Sequence, residues 1–384
     1  MGMRFFVLGG AGIIGRTVVR DLVRYAKGAE IIVGERDVQK AKASVRTLRA
    51  KQVRAVAVDA SDVTKMVRAF DGSSVVVSCV QYTFNLGVME ACLKTGAHYV
   101  DLGGMFHFTK KELKLHDAFK KQGITGILGM GGAPGLSNVL AASGARDLKN
   151  VTSVDIVFAD VDSTKYIQKF VLPYSFKTLV EEYMMQPAVF ERGKLHFVAP
   201  ESGKKEYDFG KEFGKQTGFL TLHSELATLP NYFKAKGVQQ CAFRVTFPTT
   251  FTETIETLIQ LGFAGEEHIR VGKDAELKTL DVTARIMDQW IPKAGTKIND
   301  KELVRVILNE GKVVMDAITE SDGMYPAGVL DTGVPCAIAA QYLASGVVKR
   351  RGVFAPESVI EPELFFRELG RRGIQVLKNG KRVN

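Results

Sequence analysis

The residues best placed to do chemistry open the chain. A short apolar run, Arg4-Phe5-Phe6-Val7-Leu8, leads into Gly9-Gly10-Ala11-Gly12-Ile13-Ile14-Gly15 and then an amphipathic segment, Arg16-Thr17-Val18-Val19-Arg20-Asp21-Leu22. Strand, G-x-G-x-x-G turn and helix in this order make a cradle for a dinucleotide pyrophosphate. Gly10 permits the tight turn, Gly12 lets phosphate approach the backbone, and Gly15 lets helix pack against strand. The exposed N–H groups around Ile13 and Ile14, at the positive end of the helix dipole, hold the phosphates. The strand Glu30-Ile31-Ile32-Val33-Gly34 ends at Glu35, 20 residues past Gly15, where the partner of the ribose 2′-hydroxyl belongs. Arg36 beside it could receive a 2′-phosphate or lie over the adenine, and Asp59 stands at the adenine end. NAD is therefore the expected cofactor, with NADP possible. The alternative is a glycine-rich turn in some other α/β protein.

These residues need a sheet to position them. Apolar strands are expected at Val53–Val58, Ser74–Cys79, His98–Leu102 and Ile124–Leu128, with helices between them, such as Asn85–Thr95 and Lys110–Gln122. Strict alternation of strand and helix predicts a Rossmann-type, doubly wound parallel sheet over residues 1–130, with ligands at the carboxyl ends of its strands, including Cys79. The pattern changes after Gly129-Met130-Gly131-Gly132-Ala133-Pro134-Gly135. Strands are expected at Val151–Asp160, Cys241–Phe247, Val304–Leu308 and Lys312–Ile318. Helices are expected at Ser175–Met185, Phe251–Leu261 and Ala275–Trp290. Residues 131–334 thus read as a second, α+β domain for substrate binding and dimerisation, with an open, mainly antiparallel sheet. Helices at Val334–Ser345 and Glu361–Arg372 close the chain.

Composition narrows the class. The 384 residues carry a formal net charge of +10 and are 46% hydrophobic. The basic residues are scattered rather than interleaved with aromatics, which argues against nucleic acid and suits anionic small molecules. No apolar run is long enough to span a bilayer and no export signal is evident, so a cytoplasmic homodimer is expected. Cys79, Cys92, Cys241 and Cys336 are widely spaced, which suggests buried thiols. The histidines show no metal-ligand spacing, so no metal is expected.

Further segments carry a resemblance. Gln81-Tyr82-Thr83-Phe84-Asn85, Tyr99-Val100-Asp101-Leu102-Gly103-Gly104, Gly132-Ala133-Pro134-Gly135-Leu136-Ser137-Asn138 and Lys349-Arg350-Arg351-Gly352-Val353-Phe354-Ala355-Pro356-Glu357, taken with the glycine turn, resemble the saccharopine dehydrogenase-like family. The resemblance implies hydride transfer at a carbon–nitrogen bond with NAD(P), and a C-terminal segment, 335–384, that completes the first domain. It is closest in pattern to a lysine 6-dehydrogenase-type reaction, amine to imine. Ala133, where saccharopine reductases carry an acid, fits that reading. His223-Ser224-Glu225 resembles the His-x-Glu segment of carboxynorspermidine enzymes, so saccharopine reductase-type or carboxynorspermidine dehydrogenase-type imine reduction is the alternative. A dinucleotide-binding sensor or scaffold without turnover is a third.

Hydride transfer needs positioning, one managed proton and an anchor for the substrate. Tyr82 and Asp101, at the carboxyl ends of strands, could face the substrate amine, or pack and cap loops instead. His223 and Glu225, placed on one face by strand alternation, could carry the proton, or could be a surface pair. Arg244 is expected to clamp a substrate carboxylate with its guanidinium fork, or to lie on the solvated face of its strand. Pro134 and Gly135 form a turn beneath the nicotinamide, or an interdomain hinge. Asn138 opens the next helix and touches substrate or its own turn.

Overall fold

The computed structural model describes residues 2–168, 170–271, 275–287, 289–290, 292–293 and 295–384. The first domain alternates as the apolar runs require: β1 (Arg4–Leu8), α1 (Ile13–Tyr25), β2 (Glu30–Glu35), α2 (Val38–Leu48), β3 (Val53–Ala57), α3 (Val63–Phe70), β4 (Val75–Ser78), α4 (Asn85–Thr95), β5 (His98–Asp101), α5 (Met105–Glu112), α6 (His116–Gln122), β6 (Thr125–Ile127) and α7 (Leu136–Gly144). Asp37 and Asp62 accept backbone N–H bonds that start α2 and α3. The one expected helix over Lys110–Gln122 is two, α5 and α6, separated by a tight turn at Leu113–Leu115.

The second domain runs β7 (Ser153–Asp162), α8 (Phe176–Met184), β8 (Ala188–Glu191), β9 (Lys194–Phe197), β10 (Lys205–Asp208), β11 (Lys215–Leu220), α9 (Leu229–Tyr232), β12 (Gln240–Thr246), α10 (Thr249–Gln260), β13 (His268–Val271), β14 (Ala275–Lys278), α11 (Thr279–Met287), β15 (Asp300–Leu308) and β16 (Val313–Glu320). The chain ends with α12 (Ala327–Ala344), β17 (Gly352–Phe354), α13 (Pro362–Gly370), β18 (Gln375–Lys378) and β19 (Lys381–Arg382). The expected helix Ala275–Trp290 begins instead as a strand paired with β13 and turns helical at Thr279; its residue 288 lies outside the described residues.

The first sheet is fully parallel, in the order β17-β6-β5-β4-β1-β2-β3. The strand order reverses between β1 and β4, where ligands of such sheets bind. The second sheet is mixed and mainly antiparallel, with its core running β11-β12-β7-β15-β16-β18; β12 and β7 are its parallel pair. A Rossmann-type sheet with a second α+β domain is thus the fold.

The tail serves both domains. β17 completes the first sheet, but β18 pairs with β16 in the second, so residues 335–384 do not belong to the first domain alone. Helix α12, which starts two turns before the expected Val334, joins them. It packs on α1, β4 and β5 on one side and on β15 and β16 on the other. One continuous apolar cluster runs through the contact, from Val7 and Val77 through Ala337 and Ile338 to Val304 and Val306. No helix among the described residues is long and apolar enough to cross a membrane.

Candidate active site

The glycine turn has the geometry of a phosphate cradle. A Cβ on Gly15 would lie 2.3 Å from the Gly9 carbonyl oxygen and 2.7 Å from the Gly10 Cα, so this glycine is demanded by the fold. Gly12 is different. Its backbone is extended (φ −71°, ψ 170°), a conformation open to any residue, and an added Cβ would have only Gly9 O near it, at 3.2 Å. The fold itself does not require glycine there. Gly12 N-caps α1 without a side chain, so the first-turn N–H groups of Ile13, Ile14 and Gly15 have no intrahelical acceptor and no capping side chain. Open donors at the dipole's positive end, beside a space that a Cβ would fill, suit a diphosphate. Glu35 ends β2 half-buried, taking the Arg36 N–H at 3.1 Å, and Arg36 is exposed. Asp59 accepts from both the N–H and the hydroxyl of Ser61, which hold its carboxyl below its ordinary range. Its carboxylate caps its own turn, with Arg36 near enough to act on its charge. Cys79, after β4, sets its carbonyl against Gly9; burial and then the Asp101 charge push its thiol up to about 12.

The second glycine segment crosses under the cleft. Ala133–Pro134 is cis, Gly135 has φ +123°, and Gly131 N–H donates to Pro134 O at 2.8 Å. A Cβ on Gly135 would meet Gly131 N and O at 2.4 Å. Asn138 is buried and fully engaged: Oδ1 accepts from Gly135 N at 2.9 Å, and Nδ2 donates to Glu357 Oε2 at 2.9 Å and, more loosely, to Thr228. It fastens the turn to the second domain and the tail, and its polar atoms are not turned to a substrate. Asp101 is likewise internal. Its Oδ1 accepts from Gly129 N at 2.6 Å and Gly103 N at 2.9 Å, clasping the loops after β5 and β6. Burial raises its pKa and, more strongly, that of the neighbouring Glu112, whose pair of carboxylate oxygens is sealed inside. Of the two roles open to Asp101, the clasp on these loops is the one its Oδ1 fills.

What the domains do bring together is a relay. Thr221 and Leu222 lead from β11 to His223, which is extended, and a tight turn follows at Ser224–Ala227. The turn, not strand alternation, puts Glu225 back against the histidine. His223 Nδ1 bonds Glu225 Oε2, and Ser137 of α7 donates its hydroxyl to Glu225 Oε1 at 2.6 Å. Glu225 is fully buried and the imidazole nearly so. The ring stacks on Phe243 of β12, with centroids 3.8 Å apart and planes within 7°. Ser137 N–H is bonded to Gly132 O at 3.0 Å, so the His–Glu–Ser chain is anchored on the glycine turn itself. Glu182 of α8 lies within the field of His223; its carboxyl is pushed up to about 7 by burial, opposed by Tyr174 and the histidine. Tyr82, half-buried, donates to Glu181 Oε1 of α8 at 2.8 Å and so bridges the two domains. Ser137 and Glu182 escaped sequence reasoning because only the fold brings them to the histidine, and Glu181 because only the fold brings it to Tyr82.

Arg244 is not in this group. In β12, Cys241, Phe243 and Val245 face the interdomain core, and alternation turns Arg244 to the opposite face of the sheet. There it bonds Asp155 Oδ1 at 2.6 Å, Tyr207 Oη at 3.2 Å and Gly203 O at 3.0 Å. Its clamp closes on the protein's own aspartate, behind the wall that His223 stacks on.

Family models match this architecture along its whole length. The NADP-binding domain of saccharopine dehydrogenase matches residues 5–127, and the C-terminal domain of saccharopine dehydrogenase matches residues 131–374. The chain belongs to the saccharopine dehydrogenase family. It is an NAD(P)-binding oxidoreductase of that family. Among known proteins it is similar to a carboxyaminopropylagmatine dehydrogenase of Synechocystis sp., at 23% identity over 95% of both chains. It is also similar to a carboxynorspermidine synthase of Vibrio cholerae, at 23% identity over 92% of this chain and 88% of the other. The fold matches apo saccharopine dehydrogenase (L-Glu forming) of Saccharomyces cerevisiae over 100% of both chains, with TM-score 0.73 and 16% identity.

Proposed function

We propose that the protein reduces an imine, or oxidises the corresponding secondary amine, in a molecule that joins a carboxylate-bearing unit to a di- or polyamine. The observation that carries this reading is the His223–Glu225–Ser137 chain, built on the turn beside the dinucleotide cradle. The names of the relatives, carboxyaminopropylagmatine and carboxynorspermidine, denote carboxylated amines of this kind, and the His-x-Glu segment points the same way.

When bound, NAD(P)H supplies the hydride. The chain's own residues handle the proton on nitrogen. Glu225, an acceptor on both oxygens, takes Nδ1–H of His223 and thereby leaves Nε2 as the nitrogen that can give or take a proton. Stacking on Phe243 fixes the ring plane, and burial of Glu225 keeps water from competing for Nδ1. Ser137 makes this orientation depend on the Gly132–Gly135 turn. Tyr82 and Glu181, bonded across the cleft, hold the two domains at the spacing the reaction needs. Glu35 favours NAD over NADP, because a carboxylate there repels a 2′-phosphate.

A lysine 6-dehydrogenase-type reaction is the second reading, favoured by Ala133 before the Pro-Gly. The experiment that decides is turnover of NAD(P)H absorbance with preformed mixtures of an amino-acid semialdehyde and a diamine, against lysine with NAD(P)+. Consumption only with the mixtures supports imine reduction. Reduction of NAD(P)+ by lysine alone supports the second reading. No change with either favours a dinucleotide-binding sensor.

A further inference from the structure

The inward face of the second sheet carries a row of polar groups that the relay does not use. Glu302 of β15 stands directly opposite Asp160 of β7 on one side and Thr319 of β16 on the other. Val304, Phe158 and Ala317, two residues along on each strand, pack against the interdomain core, so all three polar groups point the same way. Asp331 of α12 covers them from above. Its Oδ1 would be 3.0 Å from a Cβ on Gly132, which places it against the second glycine turn. A Cβ on Gly328 would lie 2.4 Å from Glu302 Oε2.

Like charges directly opposite on paired strands cost stability. Here the charges acting on Glu302 are those of Asp331, Asp160 and Asp300, all carboxylates, and Glu302 keeps its proton in a hydrogen bond to Asp331. Asp300 has a task of its own, accepting the Ala327 N–H at the start of α12, and Asp162 is engaged with Thr164 and Tyr166. Thr332 touches Asp331 only loosely, at 3.5 Å, and the Tyr174 hydroxyl donates to Glu182. The independent sign of a ligand is Thr319. Its hydroxyl is buried, faces this row and has no hydrogen-bond partner among the described residues. Phe158 joins the row to the relay, since its ring meets Phe243, on which His223 stacks. Asp160 lies two residues further along the same strand, about 7 Å away.

We propose that Glu302, Asp331 and Asp160, with the Thr319 hydroxyl, form a subsite for a second ammonium group of the substrate. The proposal rests on the amine reading above and sharpens it: the substrate carries a cationic arm beyond the reacting nitrogen. A primary ammonium has three donors, and the row offers it oxygens from β7, β15, β16 and α12. Burial, helped by the charges of Asp162 and Asp300, pushes Asp160 up to about 6, and burial raises Asp331 and, more strongly, Glu302, so the row retains protons near neutrality. An arriving ammonium replaces them, and binding releases protons to the buffer.

The test is calorimetry of 1,4-diaminobutane, with butylamine as the single-charge comparison, on the NADH-bound protein in two buffers of different ionisation enthalpy. For the native protein we expect a buffer-dependent enthalpy that reports proton release, and tighter binding of the diamine than of butylamine. Glu302→Gln and Asp331→Asn should each weaken the diamine by about tenfold or more and reduce proton release. Neither should lower Tm appreciably, because an amide at either position keeps a hydrogen bond between the two, so a loss of affinity reports on the ligand and not on the fold. Unchanged diamine affinity in both variants overturns the proposal. So does a loss of NADH affinity with diamine binding intact, which would assign the row to the dinucleotide. If instead the native protein binds diamine as expected but consumes no NAD(P)H with imines, the reading under Proposed function fails and the subsite stands.

Discussion

Replacing Gly12 and Gly15 with alanine, one at a time, separates what the dinucleotide needs from what the fold needs. At Gly12 the backbone is already extended and a methyl would meet one carbonyl oxygen at 3.2 Å. Alanine is a poorer N-cap than glycine by up to about 1 kcal/mol, and the stiffer unfolded chain returns roughly 0.4–1 kcal/mol. Stability should therefore stay within about 1 kcal/mol of native, a Tm change of only a few degrees. Binding should suffer more. A methyl between the phosphates and the first-turn N–H groups removes one or two charge-assisted hydrogen bonds, each worth about 1.5–3 kcal/mol. The Kd for NAD(P)H should rise roughly ten- to a hundredfold per bond. Gly15→Ala behaves in the opposite order. Its methyl at 2.3 Å from Gly9 O must displace backbone, so the turn itself is strained, at about 1–3 kcal/mol of stability. The assay is titration of cofactor fluorescence paired with thermal unfolding. Native cofactor affinity in a folded Gly12→Ala protein would refute the cradle, as would a Gly12→Ala protein that unfolds while Gly15→Ala does not.

Other outcomes follow from the same geometry. His223→Gln, which keeps a polar side chain but cannot carry the proton, should lower kcat by about 10²–10⁴ with cofactor Kd unchanged; a loss confined to KM would make the histidine a binding group. Arg244→Lys should leave substrate KM unaltered and reduce stability by about 1–2 kcal/mol, since one ammonium cannot reach Asp155, Tyr207 and the Gly203 carbonyl together; a raised KM would return Arg244 to the cleft. Glu35→Ser should shift the NADP-to-NAD affinity ratio toward NADP, and an unchanged ratio would mean that Glu35 does not contact the ribose. Glu357 is pushed up from about 4.5 to about 7 by burial, so the folded protein binds the extra proton across that window and stability falls as pH rises through it. Glu357→Gln should flatten this fall by up to about 3 kcal/mol, read from Tm against pH; an unchanged slope would place the loss in other buried carboxyls.

The dinucleotide half was legible because its signals are local. Four-to-six-residue apolar runs, glycines at fixed offsets and an acid at the end of β2 are all short-range, and the strands fall within a residue or two of expectation. β17 was missed because Gly352-Val353-Phe354 is too short to show a period, and its partner β6 lies far back in the chain. At Ala275–Lys278 pairing with β13 overrides a helical reading. Arg244 shows the limit of alternation: it fixes that residues 243 and 244 face oppositely, but not which one meets the cleft. That depends on α12 and the first domain covering the Phe243 side. His223 and Glu225 were visible as a pair, although a tight turn rather than a strand unites them. Ser137, Glu182, Glu302, Thr319 and Asp331 carry no pattern of their own. Their meaning comes from the mixed sheet's register and from the helix laid across it.

The proposed reaction transfers hydride to a carbon bonded to nitrogen. The most direct measurement is mass spectrometry of the product formed from C4-deuterated NAD(P)H and an aldehyde–diamine mixture. Imine reduction leaves one deuterium, on the carbon attached to the new secondary amine, and that product is lost in His223→Gln. Deuterium on the alcohol of a reduced aldehyde, or an unlabelled amine, would contradict it.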